Sequence, residues 1–135
     1  MSSSQKVVKI VSFVLFALGI LDLVGAGFMI AGVGLTNGGT QGTAAMVAIM
    51  FFIMAAFNIV FAALGIRGAN NPRNIGGFRV MAVFALAFDV LNIASSAMTN
   101  PGALAQPASF VVYLSLAVTL VGFVKSGDVK KIAEK

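Results

Sequence analysis

The sequence predicts an all-α integral membrane protein, a bundle of four transmembrane helices with both termini in the cytoplasm. Three observations lead to this prediction. The 135 residues are 59% hydrophobic and only 10% charged, whereas soluble domains are about a quarter charged. The apolar residues form four long stretches, which are continuous rather than alternating. All nine Lys and Arg lie in the segments that a four-span chain places on one side of a membrane.

The four spans are bounded by residues that break or end helices. They cover residues 10–35, 44–66, 80–98 and 108–124, and a basic tail follows over residues 125–135. The first stretch is longer than the apolar region of a signal peptide, which has about 7–15 residues. A glycine-rich turn follows it, a polar loop with Pro72 precedes the third span, and a segment with two prolines precedes the fourth. All four therefore belong to one domain, residues 1–135.

The distribution of charge predicts the orientation. Lys6 and Lys9 precede the first span, three Arg lie between the second and third, and four Lys follow the fourth. The two opposite connections carry no charge. The positive-inside rule places the basic segments in the cytoplasm. The sequence contains no N-glycosylation sequon, and we expect a bacterial inner membrane. Because topology accounts for the basic residues, nucleic-acid binding is not predicted. The similar strings FALGILD and FALAFD leave open a duplication of two helical hairpins.

Polar side chains interrupt the apolar spans at similar depths. They are Asp22, Asn58, Asp89, Asn92 and Ser115. At about 1.5 Å per residue, Asn58 lies about 13 Å from Arg67, and Asp89 lies about 15 Å from Arg79. The midplane of a hydrocarbon core of about 30 Å lies at about that depth. We therefore expect a polar layer in the middle of the membrane, inside the bundle.

Small residues share the helix faces that carry these polar side chains. At helical spacing the second and third spans present Ala55, Ala62, Ala82, Ala85 and Ser96. The first span offers Gly25, Gly27, Gly32 and Gly34, on two adjacent faces. Helices in lipid pack through small residues and interhelical hydrogen bonds. These residues are therefore the predicted packing positions, one glycine face toward the bundle and the other toward a neighbouring subunit.

The chemistry of the polar layer allows two interpretations. It contains no Lys, Arg or His, so an ionised carboxylate would lack a basic partner, and we expect at least one Asp to be protonated and bonded to Asn or Ser. The layer then either holds helices in register or forms a proton or cation site on Asp22 and Asp89. Oxygen ligands alone suit hard cations. No resident metal or cofactor is predicted.

Composition narrows the classes of function. The chain has no Cys and no His, and no nucleophile–base pair is visible, so an enzyme is not expected. The first prediction is a non-catalytic bundle that self-associates or assembles with other membrane proteins. A small proton- or cation-linked transporter or channel, and a holin-like pore former, are the alternatives. Anionic lipid on the cytoplasmic side is the expected partner of Arg67, Arg73, Arg79, Lys125, Lys130 and Lys131.

Overall fold

The chain forms four long α-helices, as the computed structural model shows. They are α1 (Ser3–Leu35), α2 (Gln41–Asn70), α3 (Ile75–Thr99) and α4 (Pro107–Glu134), with short 3-10 helices at Pro72–Asn74 and Pro101–Ala105. The backbone is described for residues 1–35, 41–99, 101–105 and 107–134, and side-chain environments for these except 28–35, 41–45, 47, 103–104 and 107–109. Each helix contains a segment long and apolar enough to cross a membrane. The prediction of an all-α fold with four candidate spans is confirmed.

Helix α1 begins well before the predicted span, because its first residues cap it. The Ser2 hydroxyl accepts from the Gln5 backbone N–H at 3.2 Å, and the Gln5 side chain accepts from the Ser2 backbone N–H at 2.8 Å. This reciprocal pair is a capping box, which satisfies N–H groups left free at a helix start. The Gln5 amide also donates to the Ala69 carbonyl at 2.9 Å, near the end of α2. The polar head is therefore part of the bundle.

The polar loop expected over residues 67–79 is almost entirely helical, so that prediction is wrong. Only Asn71 separates α2 from the 3-10 helix that begins at Pro72. Asn71 is extended, and its side chain accepts from the Arg73 backbone N–H at 3.2 Å, which starts the next turn. Proline disfavours helix at the preceding residue. Gly77 remains helical, and a β-carbon there would lie 3.3 Å from Leu64 Cδ2, so the two helices run close together.

Up to Glu134, the basic tail predicted over residues 125–135 is the last part of helix α4. Helix α4 continues to Glu134. Val129 and Ser126 are fully buried, and the Ser4 hydroxyl donates to the Asp128 carboxylate at 3.3 Å. The tail stays helical because one of its faces packs against the rest of the bundle.

The helices form an antiparallel ring in which each packs against two neighbours. Helix α1 packs on α2 and α4, and α3 packs on the same two helices, with the α1–α2 contact the most extensive. The start of α1 meets the end of α2 where Lys9 donates to Asn70 at 3.2 Å. The start of α3 meets the end of α4 where Arg79 donates to Ser126 at 3.3 Å.

The buried core is concentrated at the end of the bundle that carries both termini, which we call the closed end. Its largest fully buried side chains are Phe61, Phe78, Leu15, Val8 and Val129. The rings of Phe61 and Phe78 lie 4.9 Å apart between centroids. At the other end, residues 90–99 of α3 include no buried residue. We call this segment the outer half of α3, and it packs much less closely than the closed end.

Candidate functional site

The first polar contact in the apolar part of the bundle joins α1 to α2. The Asn58 side-chain amide donates to the Asp22 carboxyl at 3.0 Å. Asn58 is buried and Asp22 is partly buried. One turn before Asp22, a β-carbon at Gly19 would lie 3.0 Å from Ile59 Cγ1 and 3.3 Å from Asn58 Cβ. The missing side chain at Gly19 thus lets the two helices approach closely enough for the hydrogen bond.

A second polar contact joins α3 to α4. The Ser115 hydroxyl donates to the Asp89 carboxyl at 3.3 Å. Asp89 is buried, and Ala82 and Ala85 are buried on the same helix face. Small side chains at these two positions leave room for neighbouring helices beside the carboxyl. No hydrogen bond between Asp22 and Asp89 occurs among the described residues, because α1 and α3 are not neighbours in the ring.

A cavity of about 280 Å³ lies between α2, α3 and α4, and we call it the acidic cavity. Its lining consists of the polar Asn58, Asp89 and Ser115 and the apolar Met50, Ile53, Met54, Phe57, Ala85 and Phe88. The rings of Phe57 and Phe88 meet edge to face, with centroids 6.5 Å apart. Asn58 belongs both to the Asp22 contact and to the cavity lining, and no hydrogen bond joins the two polar pairs among the described residues.

The acidic cavity combines oxygen ligands with soft apolar walls. Carboxyl, amide and hydroxyl oxygens can hold a proton or a hard monovalent or divalent cation. Methionine and phenylalanine adapt to apolar shapes, and aromatic rings attract organic cations. The lining includes no basic side chain. This site can therefore act as a polar contact between helices, or as a place for a positively charged group.

Asn92 does not lie inside the bundle, so its assignment to the interior layer is wrong. Its side chain is exposed, and Ser96, one turn further, is only partly buried. The prediction assumed that one face of α3 stays against its neighbours along its whole length. Asp89 is buried, whereas no residue over 90–99 is, so the cover on this face of α3 does not extend to Asn92.

Two of the described glycines of α1, Gly25 and Gly27, lie on different faces of the helix. A β-carbon at Gly25 would make an ordinary contact of 3.9 Å with the Phe51 ring, and one at Gly27 would meet nothing within 4 Å. Gly27 is therefore not a packing position within this bundle. Gly32 and Gly34 lie outside the residues whose surroundings are described.

Two described glycines, one on α2 and one on α4, mark places where helices approach closely. A β-carbon at Gly65 would collide with Ser12 Oγ and lie 2.8 Å from Phe78 Cδ2. One at Gly122 would lie 2.7 Å from Val11 Cγ1. Both glycines continue the helical spacing that contains the polar residues. This spacing is the feature of the sequence from which the two contacts could have been predicted. The alanines expected on these faces, Ala55 and Ala62, are fully buried on α2.

Thr119 is a polar residue that the predicted site omitted. It lies one turn beyond Ser115 on α4 and is fully buried. Among the described residues, its hydroxyl is the one buried side-chain polar atom without a hydrogen-bond partner. Buried hydroxyls are nearly always bonded to protein or water. Its spacing from Ser115 was visible in the sequence, but the lack of a partner was not.

The predicted lipid-contacting residues are spread over the closed end. Arg67, Arg73, Lys130 and Lys131 are exposed, and Lys125 is partly buried. Arg79 is also partly buried, with its guanidinium carbon 4.8 Å from the centre of the Phe123 ring. Arg79 is thus fixed by contacts within the bundle, while most of the others extend outward.

Comparison with known proteins does not add a family to these observations. The chain matches no protein-family model, no curated protein and no solved structure. The conclusion that the sequence and fold support together is a small membrane protein with four helices long and apolar enough to span the bilayer.

Proposed function

We propose that this protein is a non-catalytic membrane bundle that self-associates through the outer half of α3. The observation that supports this is the exposed Asn92 side chain on a candidate membrane span. An amide that faces hydrocarbon has no hydrogen-bond partner, which is unfavourable. A second copy supplies the missing partner, and interhelical hydrogen bonds of this kind are common in membrane assemblies.

The face around Asn92 has the composition expected of such a contact. At about 100° per residue, Ser95 lies about 60° from Asn92 around the helix, and Ala94 lies about 160° away. Ser95 is exposed, as is Thr99 one turn further. Small and hydroxyl side chains allow close approach and supply further hydrogen bonds. The proposed interface therefore includes Asn92 and Ser95 and excludes Ala94.

Cysteine cross-linking tests this interface, because the chain contains no Cys. We expect Ser95→Cys to form disulfide-linked dimers when membranes are oxidised with copper phenanthroline. Ala94→Cys is the matched control, since it is exposed at the same depth on the opposite face, and it should remain monomeric. Adding Asn92→Leu to Ser95→Cys should reduce the dimer. Equal cross-linking at both positions, or none at either, would contradict the proposal.

The second candidate function is proton or cation transport through the acidic cavity. The observation that favours it is that Asp89, Asn58 and Ser115 all line one cavity. Asp22 joins the same group through its hydrogen bond to Asn58. Intramembrane carboxyls commonly mark proton and ion pathways.

Liposome flux measurements separate the two candidates. On the first proposal, the parent protein carries no more proton or cation flux than empty liposomes do. Transport requires flux in the parent that Asp22→Asn with Asp89→Asn abolishes. Asp128→Asn is the control, because this exposed acid lies at the closed end and bonds to Ser4. Flux that survives Asp128→Asn and disappears in the double variant would replace the first proposal by the second.

We further propose a bacterial inner membrane as the location, with both termini in the cytoplasm. The location is proposed because the sequence contains no N-glycosylation sequon, and the orientation is supported by the distribution of charge. Eight of the nine Lys and Arg are described, and these lie in the segments at the closed end of the bundle, whereas the sequences of the two opposite connections carry no charge. This is the asymmetry that positions membrane proteins during insertion.

A further inference from the structure

A basic groove crosses the closed end between the start of α3 and the end of α4. Its volume is about 490 Å³. Three cationic side chains line it, Arg73, Arg79 and Lys130, together with one carboxylate, Glu134. The groove therefore carries an excess of positive charge, and the other described basic residues lie outside it.

Arg79 is held in place within this groove before any ligand binds. Its guanidinium lies over the Phe123 ring, 4.8 Å from the centroid to Cζ, and its Nη1 donates to Ser126 Oγ at 3.3 Å. The Ser126 hydroxyl in turn donates to the Phe123 carbonyl at 2.6 Å. A guanidinium has five N–H donors, so most of them stay available. A fixed arginine loses less conformational freedom on binding an anion than a mobile one.

The rest of the lining is apolar and continues toward the membrane span. Ile75 is buried at the base of the groove, and Val80 is 58% exposed one residue after Arg79. Both belong to the candidate span that begins at Pro72. A ligand complementary to the groove has an anionic headgroup that binds the cationic side chains and an apolar chain that packs on the surface near Val80. Phosphate esters suit arginine, because their oxygens accept two parallel N–H bonds.

We infer that this groove binds the phosphate headgroup of one anionic phospholipid, with Arg79 as the fixed contact and Arg73 and Lys130 closing around it. This differs from general attraction between a basic surface and an anionic membrane. Arg67 and Lys125 do not line the groove and contribute only to that general attraction. Glu134 opposes binding, because its charge has the same sign as the ligand.

Native mass spectrometry of the full chain in detergent tests the site, with phosphatidylglycerol and phosphatidylcholine as probes. We expect one tightly retained phosphatidylglycerol per chain and weaker retention of phosphatidylcholine. Arg73→Gln with Lys130→Gln should weaken retention by about fivefold for each charge removed, whereas Glu134→Gln should strengthen it. Arg67→Gln with Lys125→Gln removes one Arg and one Lys elsewhere, and it should bind as the parent does.

Several outcomes would overturn the inference. Equal losses in the two double variants would indicate a diffuse basic surface. Equal retention of the two lipids would exclude recognition of net negative charge. Displacement of the lipid by millimolar inorganic phosphate would indicate a site for a free anion. Arg79→Gln adds a direct test of the fixed contact, and circular dichroism establishes whether each variant retains its helices.

Discussion

Replacement of Gly65 by alanine should destabilise the bundle. A β-carbon at this position would overlap Ser12 Oγ and press on the Phe78 ring, and both residues are fully buried. Overpacking of a close-packed core costs about 1–3 kcal/mol. The opposing gain from the better helix propensity of alanine is at most about 1 kcal/mol. We expect a lower midpoint of thermal unfolding for Gly65→Ala than for the parent, measured by circular dichroism in detergent.

Gly27→Ala is the matched control for this prediction. A β-carbon there meets nothing within 4 Å, so only the gain in helix propensity remains, and the midpoint should stay unchanged or rise. If the two variants had the same stability, close approach of α1 and α2 at Gly65 would not contribute to the fold. A larger side chain at this position, as in Gly65→Val, should lower the stability further than Gly65→Ala does.

Replacement of Asn58 by leucine should destabilise the protein through Asp22. The change removes the donor of the 3.0 Å hydrogen bond and leaves the Asp22 carboxyl without that partner in an apolar part of the bundle. In the Asp22→Leu background the same change should cost less. We expect a coupling energy of about 0.6–2 kcal/mol, the range found for hydrogen bonds between membrane helices. Reversible unfolding in mixed micelles measures all four members of this cycle.

A second cycle provides the control for the Asn58 prediction. Ser115 donates to Asp89 and not to Asp22. The losses of unfolding free energy caused by Ser115→Ala and Asp22→Leu should therefore be additive within about 0.3–0.5 kcal/mol. A coupling between Asp22 and Ser115 as large as that between Asp22 and Asn58 would mean that the two polar pairs act as one network. The pairwise assignment would then be wrong.

The number and class of the helices follow from the sequence, because long apolar runs require a membrane. The ends of the helices do not follow, because hydropathy measures how much chain the lipid covers and not how far a helix continues beyond it. Thus α4 extends to Glu134 and α2 to Asn70, both in polar sequence. The start of α1 could have been predicted, since Ser2 and Gln5 have the spacing of a capping box.

The candidate site was predictable in its members but not in its pairing. Asp22, Asn58, Asp89 and Ser115 stand out because polar residues are rare in apolar spans. Their hydrogen-bond partners depend on which helices are neighbours in the bundle. Helical periodicity within one span does not determine which helices are neighbours. Asn92 shows the same limit, because a repeat along one helix cannot indicate how far its neighbours cover that face.

The closed end has a consequence for what holds the molecule together. Buried Val8, Ala69 and Val129 lie at the same level as exposed Lys6 and Lys130, and such charges belong in water. Apolar side chains gain no hydrophobic free energy when they move from lipid into a protein interior. The hydrophobic effect therefore acts only where water is the competing solvent. At this level the hydrophobic effect therefore contributes to closing the bundle, in addition to packing deeper in the candidate spans. Urea, which weakens this effect in water, should reach this region while the hydrocarbon shields the rest.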